Sequence, residues 1–383
     1  MIDTRRLVVP LLAALIVIAI ALDVQNGPPE TGIDFHTYEA AGLVGIQQGW
    51  AHLYDQGLVK VAQLELVPAQ RTQPFLSPPP VAWITAPLSN LPYWVAFAAW
   101  TLLTLGAFAL ALAYSTSYRG WPRLVAVGAA LVPWWVLHAV GVGQVVPLVA
   151  AGILVAWRLL RDRHDVLAGV VLGLILLKPN TAMFVPFVLL ATGRLRTFVT
   201  WLTVAVAVVA ISVATLGSAG VSGYFGDLGH LPSGANALTL NGTLGLTGGV
   251  AAAVRMIIVL AAFITAYRVR SSPGIAIVLG ALASLITAPY LHGSDLCVFV
   301  AAGWIVWHER PAPAWRAMLV AMWIFASPVV FDSAVGPMLN RWALAELALF
   351  AAILVWAWAG DRLEAIQGRA LTGSGDAGKH APA

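Results

Sequence analysis

Asp34, His36, Tyr38 and Glu39 stand together in the stretch TGIDFHTYEAAG, between Thr31 and Gly42. A carboxylate in such a setting can take a proton from a hydroxyl, which is the work of a general base. Tyr54, Asp55, Lys60 and Arg71 follow in the same polar stretch. Further along come Gln144, Lys178, Arg255 and the turn APYLHGSD, with Tyr290, His292 and Asp295. Lys178 and Arg255 are cations in apolar surroundings, where a phosphate or carboxylate would offset their charge. Each residue also has a plainer reading. Asp34 can cap a helix or sit solvated in a loop, and His36 and Glu39 can be surface groups. Asp55 can bond its own backbone in a turn, and Lys178 can snorkel. Arg255 can anchor at an interface, and His292 with Asp295 can close a tight turn. Gly141 and Gly143 form a lone GxG without a βαβ context, so no dinucleotide site follows. No zinc-ligand spacing is present, and no Asp-x-Asp pair falls among these polar stretches.

The elements that position these groups are apolar. Of 383 residues, 60% are hydrophobic and 10% charged, whereas soluble domains carry roughly 25% charged residues. The 16 Trp and 23 Pro suit a polytopic α-helical membrane protein, because Trp favours membrane interfaces and Pro is tolerated in buried helices. The single cysteine, Cys297, excludes an intrachain disulfide. The net charge of +4 reflects topology and gives no reason to expect a nucleic-acid partner. Most of the 21 Lys and Arg residues fall in clusters at 5–6, 119–123, 158–163, 194–196, 268–270, 310–316 and 362–379. Cytoplasmic loops concentrate such residues. Assigning every cluster to the cytoplasm requires two crossings between neighbours, hence about twelve helices with both termini inside and the polar loops outside.

The apolar runs supply those crossings at 7–22, 92–114, 124–141, 145–160, 166–178, 181–192, 197–216, 248–267, 273–289, 296–307, 317–331 and 342–359. The loops at 23–91, 217–247 and 290–295 then face outward. Residues 1–361 form one membrane domain, and 362–383 a small, polar, disordered cytoplasmic tail. The first run also resembles a signal peptide, with Ala19-Ile20-Ala21 as a cleavage motif. Retention keeps the crossing count even. The run around LLKPN has arginines on both sides, so it is either a short hairpin with Lys178 at its buried tip or one long kinked helix. Each arm of about a dozen residues is ~18 Å long, against a hydrocarbon core of ~30 Å. In the first outer loop, Leu58, Val61, Ala62 and Leu66 can share one face of a helix lying flat on the membrane. The proline-rich segment that follows reads as partly re-entrant.

Taken in order, these motifs resemble a known family. Asp34 with Tyr38 and Ala41, LYD at 53–55, the prolines at 78–80, APLSNLP, Trp100, Gly143-Gln144, GLILLKP and APYLHGSD are similar to glycosyltransferase family 87. That family belongs to the GT-C superfamily of polytopic glycosyltransferases. The chain departs from the family pattern at Ser77, at Val146 and in the turn at 290–295, which lacks a Trp and a second His.

The resemblance implies an all-α, GT-C-like bundle with juxtamembrane helices in the first outer loop. It implies inverting transfer of a hexose, mannose in the family's α-1,2-mannosyltransferases, from a polyprenyl-phosphate donor to a glycolipid or glycan acceptor. The reaction would occur at the extracytoplasmic face of the plasma membrane. Asp34 is expected to be the base, and Lys178, Arg255 and His292 to hold the donor phosphate. Tyr54, Gln144, Asn241, Tyr290 and Asp295 are expected to contact sugar or acceptor. A phosphate leaving group needs no general acid, so one carboxylate suffices where glycoside hydrolases need two. No metal or other cofactor is expected. A transporter or lipid-binding protein without transferase activity is the alternative reading. A transporter usually has paired broken helices in two repeats and no long polar first outer loop, whereas this chain has one broken hairpin and no repeat. A lipid-binding protein would not require Asp34, Lys178 and Arg255 to converge.

Overall fold

Long Leu/Ala/Val runs punctuated by Pro and Gly produce helices that start and stop where the punctuation falls. The computed structural model describes residues 30–229, 238–310, 312–327 and 342–373, with side chains through 359. The predicted first crossing at 7–22 lies outside these residues, as does its alternative as a signal peptide. All regular structure among the described residues is helical.

The stretch expected to form the first outer loop holds three short helices: α1 (Ile33–Gln47), α2 (Gln56–Leu66) and α3 (Pro79–Thr85). Prolines 79 and 80 open α3, at positions whose missing N–H costs a helix nothing. A 3₁₀ turn at Ala86–Asn90 leads into α4 (Tyr93–Ser115). The predicted crossing at 124–141 is two helices, α5 (Trp121–Leu131) and α6 (Trp134–Val142), bent by 71° at Pro133. Next come α7 (Val146–Arg161), α8 (Asp165–Val171) and α9 (Phe184–Ala191). They are followed by α10 (Leu195–Leu228), α11 (Leu240–Leu244) and α12 (Gly248–Arg268). The last four are α13 (Pro273–Thr287), α14 (Cys297–Glu309), α15 (Pro313–Phe325) and α16 (Trp342–Gly373). Every crossing predicted from residue 92 onward therefore meets a helix or a helix pair.

On α2 the positions buried against the protein are Val59, Ala62 and Gln63, while Val61 is exposed. The helix turns Gln56 and Gln63 inward. The helix α16 continues to Gly373.

The hairpin reading of the LLKPN run holds. Helix α8 passes through a 3₁₀ segment, Leu172–Leu177, to Lys178, and the chain returns through Pro179–Thr181 and α9. Asp165 and Arg194, which flank the two arms, form an ion pair at 2.8 Å. The arms therefore begin and end together.

Helix α13 is the axis of the bundle. Residues Pro273–Ile286 are all buried, and it packs on α9, α12, α14 and α16. Small residues permit this closeness: a Cβ at Gly280 would stand 2.8 Å from the Cα of Val185 on α9. Helix α4 runs along α7 in the same manner. Among the described residues, four helices, α4, α10, α12 and α16, are individually long and apolar enough to cross a membrane, and the bent α5–α6 pair makes a fifth. The shorter α13 is enclosed by α9, α12, α14 and α16.

The helices alternate between two ends. The arginine-bearing termini of α7, α12 and α14, with the start of α10, lie at one end. Trp157 to Glu309 at 2.7 Å and Arg194 to Asp165 tie parts of that end together. The first outer loop, the start of α7, Lys178 and the turn at 290–295 lie at the other. This alternation is the one that the spacing of the basic clusters predicts. At Gly217 (φ 60°) α10 breaks, and its remainder leans onto the outer loop, where Tyr224 meets Tyr54 with ring centroids 4.9 Å apart.

Candidate active site

Asp34 lies in the first turn of α1 and caps nothing; Gly32 occupies the N-cap with φ 74°. Its half-buried carboxylate is held from two sides. Gln73 Nε2 donates to Oδ1 at 2.8 Å, and Gln144 Nε2 donates to Oδ2 at 2.8 Å. Each oxygen keeps a further lone pair, because a carboxylate offers about four acceptor sites. The amide of Gln144 is itself fixed, its Oε1 accepting from Tyr38 OH at 2.6 Å and from the Val145 N–H at 3.0 Å.

The backbone that presents Gln144 is equally constrained. Gly143 ends α6 in the left-handed region (φ 75°), and Trp100 Nε1 donates to its carbonyl at 2.8 Å. A Cβ at Gly143 would stand 2.5 Å from Phe35 Cβ. The Gly32 N–H donates to the Gly141 carbonyl at 2.7 Å. The lone GxG thus serves to dock the end of α6 on the start of α1.

Gln73 is positioned by amide pairs from α2. Gln63 donates to the Gln73 carbonyl at 2.8 Å and accepts from its N–H at 3.0 Å. Gln56, two turns earlier on the same face, does the same for Phe75 at 3.1 and 3.0 Å. Each amide imitates one rung of a β-ladder for an extended segment that has no strand partner. Gln70 adds a bond to the Thr31 carbonyl at 2.6 Å. These glutamines were missed in the sequence; their signal is the seven-residue spacing of 56, 63 and 70 in a chain poor in polar groups.

Across from Asp34 sits a buried ion pair. Lys178 Nζ, at the hairpin tip, lies 2.7 Å from Asp295 Oδ1, and the Asp295 side chain is fully enclosed. Asp295 Oδ2 accepts from the His292 N–H at 2.9 Å in a reciprocal capping box. The turn reading of His292 and Asp295 is therefore right as far as it goes, and Lys178 is the addition. Tyr290 stacks edge-on to His292 at 5.9 Å, and Asn180 Nδ2 reaches the Tyr290 carbonyl at 3.4 Å. Lys178 lies within electrostatic reach of Asp295, Tyr290 and Asp34 together. His138, stacked on Trp134 at 4.4 Å, feels both Asp34 and His292 and was not anticipated.

The predicted convergence is therefore partial. Asp34, Gln144, Lys178, Tyr290, His292 and Asp295 come together at one end. Tyr54 stands beside them, its OH donating to the Ser77 carbonyl at 2.8 Å and its ring stacked on Phe75. Asp55 is the N-cap of α2, accepting from Gly57 and Leu58, as its plainer reading has it. Arg255, half-buried on α12, makes no hydrogen bond or ion pair with this cluster, and its Nε is enclosed without a partner. Asn241 lies on the short α11, which packs on α16. His36 and Glu39, read as surface groups, are fully buried. His36 Nε2 meets the Gln63 carbonyl at 2.7 Å, and burial lowers its pKa. Neither oxygen of Glu39 has a partner, and burial pushes its pKa up to about 7.

One acid with free lone pairs, a lysine and a ring of aromatic and amide groups form a cluster suited to proton removal beside a bound anion. A family model described as glycosyltransferase family 87 matches residues 75–331. The match spans Gln144, Lys178, Arg255 and the 290–295 turn and begins after Asp34 and Tyr54. Comparison with curated proteins and with solved structures returns no match. With most of its length matched and its helices arranged as described, the chain belongs to glycosyltransferase family 87.

Proposed function

We propose that this glycosyltransferase moves a hexose from a polyprenyl phosphate to a hydroxyl of a glycolipid or glycan, with inversion, at the extracytoplasmic face. Mannose is the sugar that the family resemblance favours. The observation that carries this reading is the carboxylate of Asp34, clamped by two neutral amides within reach of the Lys178–Asp295 pair.

In the proposed reaction the acceptor hydroxyl approaches a free lone pair of Asp34 and gives up its proton there. Its oxygen bonds to the anomeric carbon as the bond from that carbon to the phosphate oxygen breaks on the opposite face. The electron pair leaves with the lipid phosphate. Lys178 carries three N–H donors, and Asp295 takes one, which leaves donors to meet the phosphate. His292 adds its imidazole from the same turn. Asp295 on this reading orients Lys178, while Tyr54 and Tyr290 contact sugar or acceptor. Arg255, a cation in an apolar helix with its Nε enclosed and unpartnered, remains a proposal for the donor phosphate, and Asn241 one for the sugar. The charge balance of the step needs no metal.

The test uses purified full-length protein with radiolabelled polyprenyl-phosphate hexoses and membrane glycolipid. Asp34→Asn is expected to lose about 10²–10⁴-fold in turnover, the range of a lost general base, with donor binding retained. Near-normal turnover in Asp34→Asn would remove the assignment. Turnover in the wild-type protein is expected to survive chelation by EDTA, measured in the same assay.

A further inference from the structure

At the end of the bundle opposite Asp34, a cavity of about 460 Å³ opens between the ends of α7 and α14, the starts of α10 and α13, and the connections between them. Arg161, Arg163, Arg194 and Arg310 line it together with Ser271 and Glu309. These residues come from four separate inter-helix connections.

The cavity's internal balance leaves positive charge in excess. Glu309 is bound by neutral donors, Trp157 Nε1 at 2.7 Å and Ser272 Oγ at 2.5 Å. Arg194 is paired with Asp165 at 2.8 Å. Arg310 lies over the Trp356 ring at 3.6 Å and Arg161 over Trp157 at 5.3 Å. Neither Arg161 nor Arg163 has a carboxylate within ion-pair distance among the described residues.

The backbone adds an independent observation. Arg163 follows the C-terminus of α7 with φ 63°, the one non-glycine in the left-handed region among the described residues. The His164 N–H donates to the Leu159 carbonyl at 2.8 Å and the Arg163 N–H to that of Leu160 at 3.3 Å, as at a helix C-cap where glycine is favoured. Arginine there holds a conformation that costs about 1 kcal/mol or more. A basic cytoplasmic loop needs arginines, but it needs neither this strained position nor convergence on one cavity.

We propose that this cavity binds a phosphate-bearing anion, with Arg161 and Arg163 as its principal ligands. Planar guanidinium groups suit phosphate oxygens, which they can meet with two parallel N–H donors. The phosphate can come from a lipid headgroup at the membrane surface or from a soluble phosphate compound. The site is separate from Asp34 and does not depend on the transfer chemistry proposed for it.

Purified full-length protein in neutral detergent tests this in two arms. Inorganic pyrophosphate is titrated calorimetrically, and phosphatidylglycerol retained after mixed-micelle exchange is counted by native mass spectrometry against phosphatidylcholine. The wild-type protein is expected to bind in at least one arm; pyrophosphate alone identifies a soluble ligand, and phosphatidylglycerol alone a headgroup. The double variant Arg161→Gln/Arg163→Gln is expected to bind about tenfold or more weakly. Arg119→Gln/Arg123→Gln, which removes the same charge from residues outside the cavity, is expected to leave binding unchanged. Arg163→Gly provides a variant that folds at least as well, because glycine relieves the backbone; it should raise the thermal midpoint while weakening binding. No binding in either arm, or equal loss in both double variants, overturns the proposal.

Discussion

Asp34 owes its orientation to two amides, and those amides can be removed one at a time. In Gln144→Leu the Oδ2 donor is gone and Tyr38 OH loses its acceptor. Turnover is expected to fall about tenfold with KM little changed, because one hydrogen bond to a charged group is worth roughly 1.5–3 kcal/mol. Steady-state kinetics on the purified variant decide this. Tyr38→Phe removes only the outer bond and should fall less. Glu39 tests a different property. Its folded pKa of about 7 lies above the ordinary carboxyl value, so the native chain holds a proton that the unfolded chain releases above about pH 4.3. That stabilisation is complete below the unfolded value and is lost as pH rises through the folded one. Burial lowers the pKa of His36, and Tyr93, whose hydroxyl also senses Glu39, is pushed up and does not ionise in this range. Glu39→Gln is therefore expected to be more stable than wild type by on the order of 2 kcal/mol at alkaline pH and indistinguishable in acid. Thermal midpoints from about pH 5 to about pH 8 measure the difference. The sequence named Asp34, Gln144, Lys178 and the 290–295 turn because polar and ionisable groups in an apolar chain stand out. It did not separate Glu39 from the surface, since burial of α1 depends on partners, such as Tyr93 and Ala86, more than forty residues away.

The elements show where pattern carries information and where it stops. Helices α4, α7, α10, α12 and α13 follow from apolar runs ended by Pro, Gly or Arg. The short arms of the LLKPN hairpin were decided by arithmetic, since a dozen residues cannot span and arginines flank both sides. The amide pairs of α2 escaped because a buried glutamine looks like an exposed one until its acceptor is known. The hairpin tip and the 290–295 turn are coupled through Lys178 and Asp295. Breaking one partner leaves a buried charge alone, so Lys178→Met and Asp295→Asn are each expected to cost about 3–5 kcal/mol. The double variant should recover much of that stability without recovering transfer. Thermal unfolding of the single and double variants, with transfer assays alongside, closes the cycle. Gly143→Ala is expected to be as damaging as Gln144→Leu for a steric reason, since its Cβ would enter Phe35.

For the whole molecule, the alternation of the helices between two ends is the largest fact legible in the sequence, and it came from the spacing of arginines. Arg255 marks its limit: an isolated cation in an apolar run invites a partner, and its enclosed Nε has none in the structure. Orientation in the membrane can be read directly. Cys297 is the sole cysteine and is buried, so single cysteines can be introduced against a silent background after Cys297→Ser. A cysteine at Gln48 is expected to react with an impermeant maleimide added outside the cell, and one at Arg196 only after the membrane is opened. The reverse pattern would invert the bundle and move the proposed chemistry to the cytoplasm.

The fastening of the segment around Gln73 has a consequence of its own. Gln56, Gln63 and Gln70 grip it entirely through uncharged groups. Brine and mild acid, which loosen electrostatic latches, find only the exposed Arg71–Glu30 pair and the Gln56–Asp227 bond to weaken here. The Asp34 cradle should keep its shape through changes of ionic strength that would strip anything held on the far side by arginine alone.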